Sequence, residues 1–492
     1  METETKTKSA AGGFLKQGSI LAVASILVRM IGLVYRIPMV NIIGDEGNGI
    51  YSAAFEIYNI LLIISSYGMP MAVSKMVSAK CVNRRYREAY QIFRCSMIFS
   101  ICTGGIASLF VFFGADWLEK NFFESFEGIA IPLRVLAPTI FIVAVMGTLR
   151  GLFQGRKTML PTAISQIIEQ IVNAFVSVSA AYFLMRAHSA SPKLSAWGAA
   201  GGTLGTCLGA ASALILLILI YMMYRPVMKK QQRRDHASRK DPLSQTYKLI
   251  LMTAIPIILS QTVYQLSGII DVSMINAILK GKGFSGEQIS SWQGIYSTKY
   301  RLLVSVPIAV STAIASSMIP SLVASFVGKE TEQIHSKVNM AVKFNMIIAF
   351  PSAVGMAVLA EPIIRTLFPT TNYQMGSMMM ILGSSCIIFY ALSTVTSGVL
   401  QSIDQMRLPV LHSLISLIVH ILLVWILMSF TDLGVYALVV GNVTYPLLVC
   451  YLNGRSVHKY LGFAQEVTKC FCIPFLASVI MGVITYIVYA GV

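Results

Sequence analysis

Thirteen apolar stretches occupy most of this chain, at about 17–43, 52–77, 90–113, 128–152, 160–184, 197–223, 249–278, 290–326, 338–359, 374–400, 408–430, 433–452 and 468–490. Crossing the hydrocarbon core of a bilayer takes roughly 20 apolar residues on a helix, and each stretch meets that length. Inside a bilayer every backbone N–H and C=O must be satisfied within the chain, so stretches of this kind fold as helices. The expected fold class is an all-α polytopic membrane protein. Composition agrees: 55% of residues are hydrophobic and 12% are charged, against about a quarter charged in soluble globular domains. A fourteenth crossing would require 290–326 to split in two.

The formal charge of +17 could suggest a nucleic-acid partner, but its placement argues otherwise. With the N-terminus inside, 27 of the 38 Lys and Arg fall in or beside inner loops and tails. Seven (Lys120, Arg134, Arg186, Lys193, Lys280, Lys282, Arg365) fall on outer loops or their flanks, which also carry Asp45, Glu46, Asp116, Glu119, Glu124 and Glu127. That asymmetry is the positive-inside pattern. It implies a cytoplasmic N-terminus and an attraction to anionic lipid heads, with no nucleic acid as partner. The polar opening METETKTKSAAGG leads into a span too long for a signal-peptide core, so no cleavage is expected. Eight scattered cysteines, with one isolated CxC at Cys470 and Cys472, read as small buried hydrophobes and not as a metal or disulfide framework.

The longest polar break runs from Tyr224 to Lys248 and holds eight Lys or Arg. It divides the chain into a cytoplasmic tail (1–16), an N-lobe of six spans (17–223), a basic cytoplasmic linker (224–248), a C-lobe of six spans (249–452) and an accessory C-terminal helix (453–492). An internal repeat supports the division. Pro70-Met-Ala-Val-Ser74 recurs as Pro307-Ile-Ala-Val-Ser311, and Gly151-Leu-Phe-Gln154 with Met159-Leu160-Pro161 recurs as Gly398-Val-Leu-Gln401 with Met406 and Leu408-Pro409. The offsets, 237 and 247–248, nearly agree, and both copies enter from the same side. Such parallel repeats place substrate sites between their halves, with Gly32, Pro70 and Pro307 as candidate hinges.

Four cations lie inside spans: Arg29, Arg36, Lys299 and Arg301. An arginine near a helix centre costs on the order of 2.5–3.5 kcal/mol in lipid. Arg29 and Arg36, seven positions apart, turn about 700° and so share one face, with Gly32 between them. A cationic stripe facing water is one reading; snorkelling of Arg36 to the interface is the other. Lys299 and Arg301 are about 200° apart on a helix, so they do not both face a cavity fully; one of them is read as snorkelling to the interface, and composition alone leaves the choice open. Glu56 either pairs structurally with a first-span arginine or offsets charge in the cavity. Glu169 in mid-span must be protonated, paired or cavity-facing. His412, Ser416 and His420 fall on one helical face, as a proton relay, an ion site or packing groups. Pro256, Gln261, Gln265 and Asp271 mark the seventh span, and Asn442 and Thr444 the twelfth.

Arg29-Met-Ile-Gly32-Leu-Val-Tyr35-Arg36-Ile-Pro38, Tyr67-Gly68-Met-Pro70, the 151–161 block and Arg301-Leu302 through Ile319-Pro320-Ser321-Leu322 resemble the stage V sporulation protein B-like branch of the polysaccharide transporter family. That branch belongs to the multidrug/oligosaccharidyl-lipid/polysaccharide exporter superfamily, and the resemblance covers nearly the whole chain. It implies a two-lobed, V-shaped transporter that flips undecaprenyl-diphosphate-linked sugars outward by alternating access, functional as a monomer in the bacterial cytoplasmic membrane. It implies that Arg29, Arg36 and Arg301 line the cavity and selects Arg301 over Lys299. The match slips at the second arginine: the family's stands where this chain has Tyr35, and the family's following acid is Ile37 here. Ion coupling in the superfamily uses polar or acidic groups of the seventh, eleventh and twelfth spans. Asp271, Asn442 and Thr444 fit that role, with His412 and His420 where acids would stand, and either a sodium ion or a proton as coupling ion. No organic cofactor and no enzymatic activity are expected.

The residues suit such a substrate without the family. A diphosphate carries about two negative charges, and arginine forks bind phosphate oxygens bidentately. A multidrug or cation antiporter of the same superfamily is the alternative, but it needs an acid-dominated cavity. A membrane glycan polymerase or ligase needs a large outer loop with catalytic groups, and the outer loops here are short. A GxxxxGK[ST] nucleotide loop is missing from the sequence.

Overall fold

The computed structural model describes the backbone of residues 2–63, 65, 68–156, 158–233, 235, 242–328, 330–369 and 372–491. Side chains at 2–23, 25–26, 256–257, 259–265, 313–317, 319–321, 324 and 327 lie outside the described residues, and with them Pro256, Gln261, Gln265, Pro320 and Ser321. Tyr67 lies outside them altogether.

Among the described residues the chain is helical and contains no strand. The helices are α1 (Glu2–Leu62), α2 (Met69–Val82), α3 (Tyr86–Phe122), α4 (Ala130–Gly155), α5 (Leu160–Ala187), α6 (Leu194–Arg233), α7 (Leu243–Gly281), α8 (Gly286–Ile295), α9 (Arg301–Val327), α10 (Thr331–Val358), α11 (Ala360–Leu367), α12 (Tyr373–Gly383), α13 (Cys386–Ser402), α14 (Arg407–Phe430), α15 (Tyr436–Leu461) and α16 (Ile473–Gly491). Nine helices among the described residues are long and apolar enough to cross a membrane, or ten if the pair α12–α13, bent by 46°, forms one span. The protein is an all-α, multi-pass membrane protein.

α1 is two helices joined at Gly44, whose φ of 75° and ψ of 176° break the helical path. Positive φ is open to glycine at little steric cost. The carbonyls freed at this corner are met by the buried Asn48 side chain, which donates to Val40 O at 2.9 Å and Gly44 O at 2.6 Å. Residues 286–327 are helical without a gap, passing from α8 to α9 through a π-helical turn at Tyr296–Tyr300, so 290–326 does not split. α6 continues as helix to Arg233, well into the basic break expected from Tyr224 onward, with Lys230 and Arg233 in its last turn, where cations favour a helix C-terminus.

Packing divides the chain into two units, Met1–Ile269 and Ile270–Val492, with the division inside α7. In the first unit α2 packs on α3 and α4, α3 on α4, α4 on α6, and α5 on α6. In the second, α9 packs on α10 and α13, α10 on α13, α13 on α15, and α14 on α15. These are the same neighbours in the same order, which is what the repeated Pro and Gly motifs predict. π-helical residues precede the repeated proline in both units: Ile63 and Ser65 before Pro70, and Tyr296–Tyr300 before Pro307.

The tightest seam joins α5 and α6. A Cβ added at Gly205 would lie 2.7 Å from Asn173 O, and one at Gly209 would lie 2.6 Å from Glu169 O; at Gly201 it would collide with the backbone of Ala181. Spaced by four, these glycines form a groove that admits the neighbouring backbone, the small-residue packing of membrane helices. The eight cysteines are all free. Cys95, Cys386 and Cys470 are buried as expected, whereas Cys102 and Cys472 are exposed on the outer faces of apolar helices. Beyond the spans, burial pushes the Cys81 thiol up, against the opposing pull of Arg156, and favours its neutral form.

Candidate functional site

In the first unit, Arg29 is exposed on α1 and Arg36 is half-buried. The Arg36 guanidinium lies near the Tyr35 and Tyr51 hydroxyls. Tyr35 in turn accepts from Asn173 Nδ2 at 3.2 Å. The Ser177 hydroxyl lies 2.8 Å from Asn173 Oδ1 and 2.9 Å from Gly202 O, its one proton serving one of them at a time. This chain of polar groups ties α1 to α5 and α6 and fixes the register of the arginine helix. Gly32, between the arginines, faces Gln170: a Cβ there would sit 3.1 Å from Gln170 Nε2. Glu56 is half-buried, and its carboxylate lies where a Cβ on Gly268 of α7 would be. Pro70 starts α2, with its carbonyl 2.7 Å from where a Gly151 Cβ would stand.

Glu169 is paired. Its Oε2 accepts from Arg150 Nη2 at 2.7 Å, and Arg150 Nε donates to Ser165 Oγ at 3.0 Å. The two side chains retain 13% and 26% of their exposure. This ion pair resolves the three alternatives for the mid-span carboxylate. Arg150 carried no sequence signal of its own, because the positive-inside reading puts it at the inner end of its span, where cations are expected. The usable signal is the complementary charge one helix later.

In the second unit the two cations of the eighth span separate. Lys299 is completely buried in the π-helical turn, while Arg301 is exposed with its guanidinium 5.9 Å from the Tyr296 ring centroid. A π turn carries an extra residue per turn and shifts side-chain directions relative to a regular helix. The adjoining Tyr300 donates to Gly383 O at 3.2 Å and accepts from Asn442 Nδ2 at 2.9 Å. Tyr390 donates to Asn442 Oδ1 at 3.0 Å. Asn442 is thus held by the buried Tyr300 and the half-buried Tyr390, and Thr444 bonds back to Gly441 O of its own helix at 3.2 Å. Pro307 is buried on α9.

The two histidines share a face, as their spacing predicts, and both are buried, but they serve different partners. His420 Nε2 lies 2.8 Å from Asp271 Oδ1, with 4% and 7% of the two side chains exposed. A carboxylate only accepts, so Nε2 is the donor wherever Asp271 is ionised. Nδ1 of the same ring abuts α15 at Gly441, where a Cβ would stand 2.8 Å from it. His412 Nδ1 lies 2.7 Å from Asn453 Oδ1, and its Nε2 lies 3.4 Å from Ser456 Oγ. Asn453 donates onward to Ser397 at 2.9 Å and Thr396 at 3.2 Å. His412 therefore belongs to a network of neutral groups, and Asp271–His420 is the pair with an acid in it. Among the described residues no three His, Cys, Asp or Glu side chains converge as a metal site.

The sequence model of the polysaccharide biosynthesis protein family matches residues 14–326, and the MatE model matches residues 256–426. The chain is 23% identical over 478 residues to stage V sporulation protein B of Bacillus subtilis (strain 168), covering 96% of this chain and 88% of that protein. It is 22% identical over 482 residues to the lipid II flippase MurJ of the same organism, covering 95% and 87%. A solved structure of a multidrug resistance MATE family transporter of the MOP superfamily, in an inward-facing conformation, has the same fold, with a TM-score of 0.72 at 16% identity over 90% of this chain and 99% of that one. The family's own model spans well over half of the chain, and the protein belongs to the polysaccharide biosynthesis protein family.

Proposed function

We propose that this protein moves an undecaprenyl-diphosphate-linked oligosaccharide, lipid II or a related polysaccharide precursor, from the inner to the outer leaflet of a bacterial cytoplasmic membrane by alternating access. The observation that carries the reading is the exposure of Arg29 and Arg301 within predominantly apolar helical stretches. A guanidinium exposed on such a helix is costly against lipid and well matched to phosphate oxygens, which it grips with two parallel hydrogen bonds. Arg36, half-buried beside Tyr35 and Tyr51, adds positive field near Arg29. The names of the two curated relatives, a sporulation protein and a lipid II flippase, support the same substrate class. The N-terminus is cytoplasmic by the distribution of Lys and Arg, and a single chain carries out the cycle without enzymatic chemistry. An ion gradient or the membrane potential drives it, with Asp271 and His420 as the coupling groups and with Asn442 and Thr444 on α15, close in sequence to the Gly441 that the His420 ring abuts.

The MatE match over residues 256–426 favours a second reading, a multidrug or cation antiporter. The test is flipping of fluorescent lipid II by the purified protein in liposomes, beside Arg29→Ala. Flipping by the wild type that is lost in a well-folded Arg29→Ala variant supports the proposal. Equal flipping by both removes the arginine from the mechanism.

A further inference from the structure

The basic residues of the inner loops do more than set topology. The first turns of α3, the end of α6 and the start of α7 enclose a cavity of about 870 Å³ within the first unit. Four of its lining residues are Arg87, Arg94, Lys229 and Arg233, all exposed, and no acid lines it among the described residues. Among the described residues, the nearby acids Asp235 and Glu88 are engaged elsewhere. Asp235 accepts the Arg87 backbone N–H at 2.7 Å, capping α3, and Glu88 binds Lys80 at 2.6 Å. The walls are fixed to one another: Arg87 Nε donates to Gln232 O at 3.0 Å and Gln91 Nε2 donates to Thr246 Oγ1 at 2.9 Å. Arg156 donates to Gln231 and stacks over Tyr224, fastening the end of α6 to the loop after α4.

Below this cationic rim the surface becomes apolar. Ile98 and Leu243 line the same cavity, and Tyr247 is shared with an adjoining groove of about 570 Å³ along Leu251, Met252 and Ile255 of α7. A charged mouth that runs into an apolar channel on the side of a membrane helix matches one kind of occupant. Its head must be anionic, to satisfy several clustered cations, and its body must be a hydrocarbon chain.

We infer that the α3–α6–α7 cavity is a binding site for an anionic glycerophospholipid of the inner leaflet, phosphate on the Arg94–Lys229–Arg233 rim and acyl chain along Leu251, Met252 and Ile255. The inference stands independently of what the protein transports. A soluble phosphate would satisfy the rim but make no use of the groove. A zwitterionic lipid would fill the groove but leave the rim unneutralised.

Native mass spectrometry of the full-length protein in detergent tests the site, with phosphatidylglycerol as probe and phosphatidylcholine and inorganic phosphate as comparisons. The wild type binds phosphatidylglycerol in preference to both. Arg94→Gln/Arg233→Gln weakens that binding about 30-fold, on the order of fivefold for each basic contact near an anionic lipid surface. Arg225→Gln/Lys230→Gln removes the same charge from exposed positions of α6 that do not line the cavity, and leaves binding unchanged. Equal losses in the two double variants would show a diffuse charge effect and overturn the site. So would phosphate binding as tightly as the lipid, or binding indifferent to Arg94 and Arg233.

Discussion

His420 is held from two sides, by Asp271 at 2.8 Å and by the glycine backbone of α15 at Gly441. That contact makes Gly441→Ala a sharper probe than removing the histidine. The added methyl would stand 2.6 Å from His420 Cε1, closer than carbon atoms pack, and would push the ring away from Asp271. If the pair couples transport to an ion, Gly441→Ala should reproduce most of the transport loss of Asp271→Asn while both proteins still insert; normal transport by Gly441→Ala would detach the pair from coupling. Asp271→Ala should also lower stability by about 1–3 kcal/mol, the cost of leaving a buried polar partner unsatisfied, readable as a lower unfolding midpoint. The two residues lie 149 positions apart. Sequence periodicity shows that His412 and His420 face the same way, but not what either faces, since that depends on how α7, α14 and α15 pack. The Arg150–Glu169 pair was hidden for the same reason, and Arg150 was further masked among the cations that the positive-inside reading assigns to the inner side.

At the scale of elements, the glycines of α6 were readable. Gly201, Gly205 and Gly209 recur every four residues in the sequence, and the structure sets them against the backbone of α5. Gly205→Leu should therefore force α5 and α6 apart, at a cost of about 1–3 kcal/mol or more for overpacking a close seam, with reduced thermal stability in detergent as the readout. Unchanged stability would contradict the packing described. The π-helical turn at Tyr296–Tyr300 was not readable, because Tyr-Ser-Thr-Lys-Tyr contains neither glycine nor proline to announce an irregular helix. That turn decides which of Lys299 and Arg301 is enclosed, which their two-residue spacing alone does not show. The helical continuation of α6 to Arg233 was also missed, since polar residues past a membrane span read equally as loop or as helix projecting beyond it.

For the whole molecule, the repeated Pro and Gly motifs predicted two similarly built halves, and the matching neighbour patterns of α2–α6 and α9–α15 agree with that expectation. A duplicated transporter of this kind needs a source of energy, and the chain has no nucleotide loop to supply it. Dissipating the sodium gradient, the proton gradient and the membrane potential one at a time in proteoliposomes should slow transport by at least one route. Indifference to all three would argue against ion-coupled exchange. The most direct test of the central claim sets the two substrate classes against each other in one preparation. Labelled lipid II and a cationic dye are offered to the same proteoliposomes, with Arg301→Ala alongside. The account predicts that lipid II crosses, that the dye does not, and that Arg301→Ala stops the lipid. Export of the dye by a protein that leaves lipid II in place would contradict it and assign the fold to cation export.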